Sequence, residues 1–115
     1  MRTTEWILAL ALLVSGTVAA QEAAAVFPIR LHDGQALGKA TTVKVRLGER
    51  VVLRWESDRD VALHLHGYDI EQHVPASQAA DMSFKATIAG RFPITVHAQG
   101  KAHHHRAVAY LEVHP

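Results

Sequence analysis

From Phe27 onward the chain is a succession of short runs in which apolar and polar residues alternate, each broken by turn-forming residues. A period of two fits half-buried strands, and a chain built this way has no helical face to bury. Phe27-Pro28-Ile29-Arg30-Leu31-His32 alternates and reads as an opening edge strand, where Pro28 is tolerated. Asp33-Gly34-Gln35 signals a turn. Thr42 to Leu47 alternates until Gly48-Glu49, and Val51, Leu53 and Trp55 form an apolar face opposite Arg50, Val52 and Arg54. After the polar turn Ser57-Asp58-Arg59-Asp60, Val61, Leu63 and Leu65 alternate with Ala62, His64 and His66. Met82, Phe84, Ala86 and Ile88 continue the pattern, Ala89-Gly90 turns the chain, Phe92 to Val96 returns it, and Ala107 to Val113 is the last strand. Tyr68 to Asp81, which contains Pro75, is the least regular stretch and reads either as a short helix or as a loop crossing between sheets. About seven strands with turn signals roughly every eight to twelve residues predict an all-β fold, a Greek-key β-sandwich or barrel. Trp55, Phe84, Phe92 and Tyr110 fall at strand spacing and are expected in its core.

The first twenty residues stand outside this pattern. Arg2 is followed by the apolar run Ile7 to Val14, and Val18-Ala19-Ala20 offers small residues before Gln21. This is the layout of a secretory signal peptide over residues 1–20, leaving a single domain over residues 21–115. The apolar run is short for a membrane span and no second one follows, so no membrane insertion is expected after cleavage. Thr3-Thr4-Glu5 is atypical for a signal peptide, and an uncleaved tether is the alternative. A bacterial periplasm is the expected compartment. Small secreted domains commonly rely on disulfides, but this chain has no cysteine, so packing must hold it, with a bound ion as an aid. A formal net charge of +1 gives no footprint for nucleic acid.

Nine histidines and no cysteine suit a borderline metal bound without thiolate. The pleat places His64 and His66 on one strand face, about 7 Å apart at the backbone. Farther along stand His97 and the run His103-His104-His105. Each has a plainer reading. His64 and His66 also suit the solvated face of a strand, His97 a hydrogen-bonded structural role, and the triple histidine a polar tract with weak metal affinity. His32 and His114 read as surface residues, and His73 is undecided. Ser57, Ser77 and Ser83 lack a nucleophile-elbow context, and no metalloprotease helix or phosphate loop is present, so a binding protein is expected rather than an enzyme.

Val51-Val52-Leu53-Arg54-Trp55-Glu56-Ser57-Asp58, the following strand with His64, Gly90-Arg91-Phe92-Pro93-Ile94-Thr95-Val96-His97, the His-rich loop and Tyr110-Leu111-Glu112-Val113 together resemble a cupredoxin domain. The resemblance runs roughly from Phe27 to Pro115 and rests on loose motifs. It implies a cupredoxin-like β-sandwich with a metal site at one end. His64 or His66 matches the first ligand histidine, and His97 lies at or beside the position of the blue-copper cysteine. His103 to His105 occupy the loop that supplies the second histidine and the axial methionine. The departure is chemical: a blue-copper centre needs a thiolate, and Met82 lies outside the ligand loop while Met1 belongs to the leader.

An all-imidazole site favours Cu(II) over Zn(II) or Ni(II) by the affinity order. His64, His66, His97, His103, His104 and His105 are its candidate ligands, expected to meet at one end of the sandwich, with Asp69 or Glu71 orienting an imidazole. Cu(II) storage, buffering or delivery follows, with a copper transporter or oxidase as the expected partner. The alternative is a metal-free interaction module of the same fold.

Overall fold

The structure, a computed structural model, describes residues 23–97 and 106–115, together with Ala11, Leu13 and residues 15–17. Nine strands follow one another: β1 (Ala25–His32), β2 (Gln35–Ala36), β3 (Thr41–Arg46), β4 (Arg50–Ser57), β5 (Val61–Leu65), β6 (Ile70–Val74), β7 (Ala80–Lys85), β8 (Gly90–His97) and β9 (Ala107–His114). The described residues contain no helix, and therefore none long and apolar enough to cross a membrane. A four-stranded sheet in the order β2-β1-β4-β7 faces a five-stranded sheet in the order β3-β9-β8-β5-β6. The pairs β1/β4 and β3/β9 are parallel and the remaining pairs antiparallel, so the chain repeatedly crosses from one sheet to the other. The all-β expectation is met.

Alternation sorts the side chains. Ile29, Leu31, Val51, Leu53, Trp55 and Met82 turn inward from the four-stranded sheet. Val43, Val45, Leu63, Leu65, Val74, Ile94, Val96, Leu111 and Val113 meet them from the five-stranded sheet. Each fully buried branched or aromatic residue contributes about 1.5–3 kcal/mol, and without disulfides this burial carries the fold.

Three local expectations change. The irregular stretch contains a strand, β6, whose signal is broken by Gln72 at an inward position; the edge of the sheet leaves this side chain half-buried, and its Nε2 donates to the His73 carbonyl at 2.9 Å. Ile88 does not extend β7, which stops at Lys85. Instead the Tyr68 hydroxyl donates to the Ile88 carbonyl at 2.8 Å and accepts its N–H at 3.0 Å, leaving the Ile88 side chain exposed. Tyr110 is not in the core, because Leu111 and Val113 occupy the inward phase of β9; its ring lies beneath the Arg91 guanidinium at 4.2 Å. Trp55 is fully buried as expected, and Phe84 and Phe92 pack against the core from partly buried positions.

On the outer face of the four-stranded sheet Arg54 Nε and Nη2 donate to the two Asp81 oxygens at 2.9 and 3.1 Å. The hydrogen bond from Arg54, with its charge, holds the Asp81 carboxyl below its ordinary value. The pair's stabilisation is therefore present above the ordinary carboxylate range and is lost as pH falls through the lowered value. Asp81→Asn should lower neutral stability slightly, since exposed pairs contribute little, and should narrow the difference between neutral and acid stability by the same small amount. Urea midpoints at pH 3 and pH 7 check this.

Candidate metal centre on the open face of the five-stranded sheet

β5 presents Val61, Leu63 and Leu65 to the core, which leaves Ala62 and His64 on the outer face. His66 follows the end of the strand, and its backbone N–H donates to the Pro93 carbonyl at 3.1 Å. This bond carries the β5/β8 ladder one residue past Leu65, so the ring of His66 returns beside that of His64. Their centroids are 4.2 Å apart and their planes are inclined at 44°. The pairing predicted from the two-residue period is thus a close ring contact.

The third imidazole comes from β8. Antiparallel pairing sets Thr95 opposite His64 and His97 opposite Ala62. The His97 ring lies 6.1 Å from that of His64, inclined at 29°. His66, His64 and His97 therefore follow one another along the outer face of the sheet. Thr95 is buried among them, and its Oγ1 stands 2.9 Å from His66 Nε2, fixing that ring's orientation. The Asp69 carboxylate reaches to 3.6 Å from His64 Nε2. Asp69 has a left-handed backbone, φ 51°, which an aspartate tolerates and which turns the chain from His66 into β6. Glu71 stands opposite His64 on the other side, in β6.

His64, His66 and His97 are brought together; His103, His104 and His105 lie outside the described residues. Among the described residues, no three side chains of histidine, cysteine, aspartate or glutamate converge as a ready-made ligand set. His32 and His114 sit apart on the surface, His32 Nδ1 3.0 Å from the Asp58 carboxylate and His114 Nε2 2.9 Å from that of Glu112, as their reading as surface residues anticipates. Two residues at the face escaped the sequence reading. Thr95 carries no local signal, and His73 gains its place only through β6, where it stands opposite Ala62. Two open hollows of about 320 and 730 Å³ lie elsewhere, beside Glu56 and Ser57 and beside Leu47 and Arg50, and no imidazole lines either.

No protein-family model matches the chain, and no curated protein matches it. Solved structures do. A blue copper oxidase from Nitrosomonas europaea aligns at a TM-score of 0.62 and 18% identity, over 81% of this chain and 39% of the oxidase chain. A heme-copper terminal oxidase dimer solved by cryo-EM aligns at 0.59 and 19% identity, over 76% of this chain and 63% of the other. A copper binding protein solved by NMR in its apo form aligns at 0.53 and 10% identity, over 76% and 87%. The chain thus spans less than two thirds of the oxidase chains it matches. At such identities the likeness establishes the fold, which is a cupredoxin-like β-sandwich.

Proposed function

We propose that this chain is a periplasmic copper-handling protein that holds Cu(II) through histidines and stores, buffers or delivers it, without itself being an enzyme. The observation that carries the reading is the file of three imidazoles, His66, His64 and His97, on one face of a cupredoxin-like sheet. Structures sharing the fold include a blue copper oxidase and a copper binding protein, which supports the choice of metal. A thiolate centre does not fit: the chain has no cysteine, and Met82 is buried in the core on the opposite sheet. An imidazole centre fits the donor chemistry, and His64, His66 and His97 would hold the ion, with His103, His104 and His105 as further candidates. Bound copper supplies a Lewis-acidic ion that a partner can accept. Thr95 orients the His66 imidazole, the role that outer hydrogen bonds take at metal sites, and the Asp69 carboxylate lies beside His64. A copper transporter or oxidase is the proposed partner.

That no three ligand side chains converge among the described residues favours a second reading, a metal-free interaction module on the same fold. Elemental analysis of untagged protein purified from the periplasm separates the two. Copper at a fixed ratio to protein supports the first, and metal-free protein that fails to take up added Cu(II) supports the second. The copper form should be colourless to pale blue, and its electron paramagnetic resonance should show the ordinary hyperfine coupling of nitrogen and oxygen ligands. An intense blue charge-transfer band would overturn the imidazole assignment.

A further inference from the structure

We propose that His73 is a ligand of this same centre, closing over Ala62 from the edge strand to meet His64 and His97. The inference rests on the copper reading and adds to it a residue that neither the sequence pattern nor the fold likeness assigns.

Pairing on both sides of β5 carries the argument. Ala62 stands opposite His73 in β6 and opposite His97 in β8, so His73, Ala62 and His97 form one row across three strands. Two strand spacings separate the two histidine backbones, about 9.5 Å. The row lies on the outer face: Ala62, His73 and His97 are all exposed, whereas Leu63 and Val74 are buried. His64 is two residues farther along β5, about 6.6 Å at the backbone, on the same face.

Three histidines therefore surround one methyl group. Two imidazoles leaning inward from strands on either side of an alanine can share an ion above it. A large side chain at the centre would hold them apart. His64, His73 and His97 together offer three imidazole nitrogens around Ala62, a donor set suited to Cu(II). His32 lies on the other sheet, and His114 lies at the far end of β9 from the His97 end of β8. In the structure the His73 side chain is exposed and the three rings do not converge, so the ion itself must draw His73 inward. Metal binding would then reorient the His73 side chain on a strand already in place.

The test uses the untagged chain as purified from the periplasm, with Cu(II) alone as the probe, titrated against a competing chelator. Pulsed electron paramagnetic resonance counts the bound imidazoles. His73→Ala should weaken binding at least 10-fold, the lower end of the loss seen even for outer partners of metal ligands, and should remove one imidazole from the count. Ala62→Leu should weaken binding comparably although every histidine remains, while Ala62→Ser should bind as the parent does. Position 62 faces solvent, and thermal melts check that these variants stay folded. If His73→Ala and Ala62→Leu bind as the parent while His64→Ala weakens binding, His73 is not a ligand and the copper reading survives. If the parent binds no copper, both fall.

Discussion

Gly67→Ala is expected to lower stability by about 2–5 kcal/mol, a large share of the 5–15 kcal/mol that holds a domain together. Two costs add. Gly67 has φ +85°, a left-handed conformation that costs an L-residue about 1–2 kcal/mol. An added Cβ would also press into the Phe92 ring, 2.6 Å from its Cε1. Phe92 cannot easily yield, because the Tyr68 ring meets it edge-on at 5.1 Å and also packs against Phe84 at 5.4 Å. Overpacking of this kind costs about 1–3 kcal/mol more. Gly38→Ala is the control: φ is +79°, and nothing stands within 4 Å of the added carbon. The urea midpoint should fall markedly for Gly67→Ala and modestly for Gly38→Ala, with unchanged slopes. Equal shifts would mean that Phe92 gives way and that no clash exists. Because Gly67 follows His66 directly, the same variant should displace that imidazole from Thr95.

The second large effect concerns the ion. His64→Ala combined with His66→Ala should weaken Cu(II) binding well beyond the 10–100-fold typical of losing an outer hydrogen bond at a metal site. His32→Ala combined with His114→Ala should leave it nearly unchanged. The first pair shares one sheet face with ring centroids 4.2 Å apart, whereas His32 and His114 belong to different sheets. With residues 1–20 removed, Trp55 is the sole tryptophan and reports the titration by its fluorescence. Should only deletion of His103 to His105 matter, the strand imidazoles are bystanders and the tract is a weak chelator. Should none of these changes matter, the metal-free module takes precedence.

What the residues determine alone is what depends on near neighbours along the chain. A period of two turned Leu53 and Trp55 inward and Arg54 outward, put His64 and His66 on one face, and defined seven of the nine strands, because the pleat alternates whatever lies beyond it. The missing cysteine excluded a thiolate centre without reference to any fold. Where the local pattern failed, a long-range contact had decided. Gln72 is tolerated at an inward position because β6 is an edge strand, and Ile88 is exposed because the Tyr68 hydroxyl ties down its backbone. Strand pairing is the larger share of what tertiary structure decided. Thr95 beneath His66, His97 across from Ala62, and His73 in the same row all follow from the register of β6, β5 and β8. That register is set by matching buried faces across residues far apart in the chain, and a slip of one residue would invert every one of them. Periodicity says which way a histidine points; only the paired sheet says which histidine it meets.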